Sequence, residues 1–247
     1  MDQGEDLHVG RGVAVANDRE DLAALDEPAD EGTEKAERRV GDDYVSLVAG
    51  TSNSNGGAVH IVPPMRIPPA YLAESAGRVK AALGIPVMVT GRINQPQIAE
   101  EIIKSGQADM CGMTRAMIAD PDMSRKALSG RFEDIRACIA CNQACIHHMQ
   151  IDAPISCIQR PETGRELKFG QISKAALEKK VVVVGGGPAG LKAAVTAAAR
   201  GHSVTLFEQS GQLGGQIRLA QILPGREEFG GLVTNLIREL RASALTW

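Results

Sequence analysis

The chain has 247 residues, 27 Lys and Arg against 30 Asp and Glu for a formal net charge of −3, and only 3% aromatic residues. That near-neutral balance gives no electrostatic ground for nucleic acid or an anionic membrane as partner. The start, MDQGEDLHVG, lacks the basic and apolar stretches of a secretory signal, and no run nears the roughly 18 apolar residues of a membrane span. The expectation is a soluble cytoplasmic protein whose core is built from Val, Ile, Leu, Ala and Met.

Residues 1–43 form an acidic segment with little sustained apolar periodicity, expected to be partly disordered apart from a helix near 32–39. From Tyr44 the character changes. YVSLVAG reads as a buried parallel strand, and TSNSNGGAVHIVPPMRIPP after it as a Gly/Ser/Asn-rich loop running into a proline-rich one. PAYLAESAGRVKAALG reads as a helix stopped by Gly84, IPVMVTGRI as a strand, QPQIAEEIIKSG as a helix and ADMCGMTR as a third strand, with a short helical stretch in RAMIADPDMSRKALSG. Alternation at this pace implies a parallel sheet with helical crossovers over residues 44–136. Cys111, in the apolar run ADMCGM, reads as a packed core thiol.

Two of these strands end in arginine, at Arg92 and Arg115. If they are the last strands of a (β/α)8 barrel, Gly91, Arg92, Met113, Thr114 and Arg115 offer backbone N–H groups and guanidinium forks to one phosphate. The alternative is two surface arginines at helix starts.

Residues 137–160 hold the spacing C-x2-C-x3-C-x11-C at Cys138, Cys141, Cys145 and Cys157. Clustered thiols in a reducing compartment point to a metal or redox centre rather than structural disulfides. Three thiolates on a short loop with a distant fourth suit a [4Fe–4S] cluster; four thiolates also suit tetrahedral zinc, although zinc sites more often show two C-x2-C pairs. His147 and His148 stand near the third cysteine and read as surface residues.

After a connector at 161–180, residues 181–247 open with VVVVGGGPAGLKAAVTAAARGHSVTLFEQ. Gly185, Gly187 and Gly190 form G-x-G-x-x-G between a strand and an Ala-rich helix, where the first glycine turns the chain, the second admits a pyrophosphate and the third lets helix and strand touch. Glu208 ends the next strand, placed to accept a ribose hydroxyl. The Gly-Gly pair in QSGQLGGQ looks like the FAD half of two-dinucleotide flavoproteins.

Barrel end, cysteine cluster and dinucleotide turn, in that order, resemble the iron–sulfur members of the Old Yellow Enzyme-like family of NADH:flavin oxidoreductases, the 2,4-dienoyl-CoA reductase and trimethylamine dehydrogenase type. The resemblance rests on ADMCGMTRAMIADP, GRFEDIRACIACNQAC, VVVVGGGPAGLKAA, ARGHSVTLFEQSGQLGGQ and LPGREEF. It implies an α/β fold: the C-terminal part of an FMN-binding TIM barrel, an iron–sulfur segment, and the start of a Rossmann-like FAD-binding domain. It also implies electrons passing from NAD(P)H through FAD and the cluster to FMN and an activated C=C bond, or starting from an amine in the dehydrogenase relatives. Gly91, Arg92, Thr114 and Arg115 then fall where FMN phosphate is held, and Gly185, Gly187, Gly190, Glu208 and Gln216 where FAD is held. His60 is the catalytic candidate, because the reductases carry a histidine after this strand that acts with a tyrosine; here it stands about two positions from the aligned place.

A complete barrel takes about 250 residues. The resemblance therefore leads to the expectation that roughly the first five βα units, including the catalytic tyrosine, are absent. The chain would then be a fragment, or one piece of a split protein with a complementary chain supplying the missing strands, inactive alone and binding cluster or flavin only.

Overall fold

The computed structural model describes residues 13–16, 44–52 and 54–243, in two compact units, Met1–Thr114 and Arg115–Trp247. The helix expected near 32–39 lies outside the described residues. No described helix is long and apolar enough to cross a membrane.

The first unit is a parallel sheet of four strands in sequential order: β1 (Val13–Ala16), β2 (Val45–Ala49), β3 (Val87–Val89) and β4 (Met110–Cys111). Sequential order with every neighbour parallel is what strand–helix–strand repeats produce. Strand β1 lies inside the acidic segment, where its four residues VAVA were too short to mark a strand from composition.

Among the described residues three helices connect β2, β3 and β4: α1 (Asn55–Ile61), α2 (Ala73–Leu83) and α3 (Pro96–Lys104). Helix α1 corrects the loop expected over TSNSNGGAV. Ser54 caps it, its Oγ accepting the Gly57 N–H at 3.0 Å. Gly57 is needed there, because a Cβ would lie 2.4 Å from Thr51 Cγ2. Helix α2 stops where expected, with Gly84 left-handed at φ 64°. Leu47, Leu72, Ala76, Val87, Val89 and Ile102 form the centre of the core, and half-buried Cys111 packs against it. Leu72→Ala, at a side chain 1% exposed, is expected to cost about 2–5 kcal/mol, read as a lower denaturant midpoint with an unchanged slope.

The second unit opens with α4 (Thr114–Ala119), α5 (Met123–Leu128) and a 3-10 turn at Phe132–Asp134. The cysteine segment carries one short helix, α6 (Ile146–Gln150), and the connector another, α7 (Glu166–Phe169). A two-stranded parallel sheet follows, β5 (Lys180–Val184) with β6 (Ser203–Phe207), crossed over by α8 (Pro188–Ala199). Helices α9 (Ile217–Ala220) and α10 (Phe229–Ala242) complete it. On α10, Phe229, Leu232, Val233, Leu236 and Leu240 are buried, the 3.6-residue stripe of a helix with one face on a core. Its other face carries charge: Arg238 pairs with Glu133 at 2.5 Å and Asp134 at 2.7 Å, and Glu239 with Arg136. Helix α10 is thereby clasped to the stretch that leads into Cys138.

Candidate functional site

In the first unit the candidate residues gather at the C-terminal ends of β2, β3 and β4, the edge where parallel sheets carry their ligands. The register pairs Val89 with Cys111, so Gly91 and Met113 each lie two residues beyond paired positions. Gly91 has φ 120°, and a Cβ there would lie 3.0 Å from Tyr71 Cε1. Gly112 is closed too, with a Cβ 2.2 Å from Thr90 Cγ2.

Arg92 was expected to offer its guanidinium to a phosphate. The structure buries it to 5% exposure, at φ 54°. Its Nη1 donates to the carbonyls of Pro64 at 3.4 Å, Met65 at 2.5 Å and Ile67. The side chain ties down the proline-rich loop through three of its carbonyls. The turn's backbone remains what Gly91 and Arg92 present at the strand end.

His60 ends α1 above the end of β2. A Cβ on Gly50, at φ 110°, would lie 2.7 Å from the His60 carbonyl carbon, so only glycine lets the two segments approach. The Tyr71 hydroxyl donates to the His60 carbonyl at 3.1 Å, with ring centroids 5.5 Å apart. His60 Nδ1 is buried without a hydrogen-bond partner among the described residues. Sequence reasoning singled out His60 and missed Tyr71, eleven positions on in a run read only as the opening of a helix.

In the second unit the cysteine loop is drawn together by hydrogen bonds that spacing could not show. Ser156 N–H donates to Ala144 O at 2.7 Å, and Gln159 Nε2 to Ala137 O at 2.8 Å. These fasten the chain around Cys157 to the residues beside Cys145 and Cys138. Gln159 is 5% exposed. All four cysteines are present as half-buried thiols. Burial pushes the Cys138 thiol up, and pushes Cys141 up to about 11. Opposing this, the Ala140 N–H reaches Cys138 Sγ at 3.4 Å, and the Gln143 amide donates toward Cys141.

Among the described residues no three His, Cys, Asp or Glu converge closely enough to hold a single metal ion. A cubane spreads its thiolates over four separate iron corners, and the amides aimed at the Cys138 and Cys141 sulfurs are donors of the kind such a centre takes. His148 Nδ1 lies 2.9 Å from Pro154 O, and His147 is exposed, as expected of surface residues.

At the glycine-rich turn, Gly185 takes φ 101° and its N–H donates to Phe207 O at 2.8 Å. Gly187 is the N-cap of α8 and Pro188 its first residue. Glu208 receives Gly186 N–H at 2.6 Å on Oε2, and Ser210 N–H at 2.8 Å on Oε1. The amides of Ser210 and Gly186, with the Ser210 hydroxyl, hold its carboxyl below the usual range. The pair Gly214–Gly215 is packed against this turn: Gly214 N–H donates to Gly186 O at 2.8 Å, and a Cβ on Gly215 would lie 3.1 Å from Gly187 Cα. Gln216 follows, exposed, at the start of α9. A cavity of about 240 Å3 bounded by Arg136, Gln159, Pro188 and Lys192 lies between the cysteine segment and the head of α8.

Residues 52–134 match the NADH:flavin oxidoreductase / NADH oxidase family, and residues 180–244 match the FAD dependent oxidoreductases. The chain is 44% identical over 177 residues to a metal reductase of Desulforamulus reducens, an alignment covering 72% of this chain and 26% of that protein. Among solved structures it is similar to a 2-naphthoyl-CoA reductase in complex with 2-naphthoyl-CoA, at TM-score 0.77 and 31% identity, over 95% of this chain and 35% of that one. It is also similar to histamine dehydrogenase from Rhizobium sp. 4-9, at TM-score 0.73 and 29% identity, over 83% of this chain and 30% of that one. The chain thus spans about a quarter to a third of the proteins it matches.

Proposed function

We propose, for a chain that belongs to the NADH:flavin oxidoreductase / NADH oxidase family through residues 52–134, that it forms part of a flavin- and iron–sulfur-dependent oxidoreductase. The reaction we assign is reduction of an activated C=C bond with electrons from NAD(P)H. When bound, FMN, FAD and a [4Fe–4S] cluster would supply the electron transfer between donor and substrate.

The chain's own residues have distinct tasks in this reading. The backbone at Gly91, Arg92, Met113 and Thr114 holds the FMN phosphate, and Arg115 joins them through its N–H. Gly185, Gly187 and Gly190 bring the head of α8 to the FAD pyrophosphate, Glu208 accepts a ribose hydroxyl and Gln216 borders the same turn. Cys138, Cys141, Cys145 and Cys157 hold the cluster. His60, whose Nδ1 has no hydrogen-bond partner among the described residues and whose ring lies beside Tyr71, is the proton donor at the substrate. The barrel portion and the Rossmann-like portion are proposed to flank the cysteine segment in the chain order 44–136, 137–160 and 181–247. The similarity to histamine dehydrogenase supports a second reading in which an amine is oxidised and electrons run the other way. Product analysis with an enoyl-CoA and with an amine, on a protein that includes the whole barrel, separates the two.

The observation that supports the proposal is the cysteine segment, where the Ser156–Ala144 and Gln159–Ala137 hydrogen bonds fasten the chain around Cys157 to the residues beside Cys145 and Cys138. Anaerobic purification is expected to give a brown protein with broad visible absorbance and about four irons per chain. Cys157→Ser is expected to lose most of that iron. A colourless protein containing one zinc overturns the reading.

A further inference from the structure

We infer that Arg115 is a positioning residue for the cysteine loop, whose fixed charge raises the reduction potential of the centre the four thiolates hold. The inference rests on the iron–sulfur reading above. Arg115 is the second residue of α4, and its Nη1 donates to Asn142 Oδ1 at 2.7 Å. Asn142 directly follows Cys141 and adopts φ 57°, while Ala140 adopts φ 48°. Two left-handed residues in three turn this loop sharply, and that turn aims the Ala140 N–H at Cys138 Sγ.

Neither residue is glycine, so the conformation is held by its surroundings rather than by intrinsic preference. A charge-assisted bond from a rigid guanidinium to the Asn142 side chain is one such hold. The same bond holds the guanidinium against the side chain of the residue next to Cys141, within the loop that carries the thiolates. Half-buried positions screen charge poorly, so a cation here acts on whatever negative charge the loop carries. Reduction adds one negative charge to a thiolate-bound centre. A nearby fixed cation therefore stabilises the reduced form more than the oxidised one, and removing it lowers the potential.

The test uses the 247-residue chain purified anaerobically, as wild type, Arg115→Met and Arg115→Lys, with iron and sulfide content and a spectroelectrochemical titration as readouts. With iron content equal, the Arg115→Met protein is expected to show about a tenfold lower ratio of reduced to oxidised centre at the wild-type midpoint, equal to about 59 mV for one electron. Arg115→Lys, which keeps the charge, is expected to retain most of the wild-type ratio. Loss of iron from Arg115→Met alone also supports the inference, since the lysine protein then shows that the charge is what the loop requires. A fully loaded Arg115→Met protein with an unchanged midpoint overturns it. So does a lysine variant shifted as far as the methionine one, or loss of iron from both, because the side chain then acts by shape alone. Wild-type protein without iron defeats the iron–sulfur reading itself, a separate result.

Discussion

Gly190→Ala is expected to lower FAD affinity at least about 100-fold, equal to about 2.8 kcal/mol at 1.4 kcal/mol per tenfold, and to destabilise the second unit as well. A Cβ at this position would lie 1.9 Å from Gly185 O, 3.1 Å from Gly185 C and 3.4 Å from Val183 Cγ1. The first two are backbone atoms of the turn proposed to meet the pyrophosphate, so no side-chain rotation relieves the overlap. Helix α8 has to move away from β5, carrying with it the amides at its N-terminus and opening the contact through which Leu191 and Ala194, both 0% exposed, are buried. Gly187→Ala separates the two effects. A Cβ there meets nothing within 4 Å, and the backbone is extended at φ −74° and ψ 176°, which any residue adopts. That variant is expected to keep wild-type stability, so any loss of flavin reports the cofactor's own approach. Isothermal titration with FAD, together with denaturant unfolding of both proteins, checks the pair. Unaltered flavin binding in the Gly190→Ala protein would show that the turn is not where the dinucleotide lies.

What could be read from the sequence divides along a physical line. Features governed by local rules were legible: the apolar runs of β2, β3 and β5, the stop at Gly84, and the glycine turn with its acid at Glu208. Features governed by a distant neighbour were not. Helix α1 was read as a loop because Gly56 and Gly57 depress helix propensity, while the Ser54 cap and the closure of Gly57 on Thr51 exist only in three dimensions. Strand β1 was hidden because four apolar residues among acids carry too little periodicity. The destinations of Arg92 and Arg115 followed the same division. Both were expected to turn to a phosphate, yet one guanidinium reaches carbonyls 25 to 28 positions away and the other an asparagine 27 positions away. For the cysteines, type and spacing led to the expectation of a shared centre, but the contacts of Gln159 and Ser156 that tie the chain around Cys157 to residues beside Cys138 and Cys145 left no sequence signal.

Asp120→Ala is expected to cost about 3–5 kcal/mol and to impair loading of the cysteine centre. Asp120 is 3% exposed and each of its oxygens is engaged. Oδ2 receives Lys126 Nζ at 2.6 Å and Arg136 N–H at 2.8 Å, while Oδ1 receives Asp122 N–H at 3.1 Å. Lys126 in turn donates to Asp134 O at 2.9 Å. One carboxylate thereby joins the start of α5, the 3-10 turn and the residue two positions before Cys138. Removing it strands a largely buried ammonium and two amides, and an orphaned buried charge is the costly outcome, more than the worth of the pair itself. The double variant Asp120→Ala with Lys126→Met discriminates. It removes both charges and fills the space with an apolar chain, so it is expected to recover part of the lost stability, giving a coupling of the two sites well above about 0.5 kcal/mol. Iron loading should not recover with it, because the Arg136 N–H still lacks the acceptor that fixes the approach to Cys138. Additive stability losses would place the cost in packing alone. Full loading of the Asp120→Ala protein would mean that the thiols are positioned by the hydrogen bonds of Ser156 and Gln159 without help from this carboxylate.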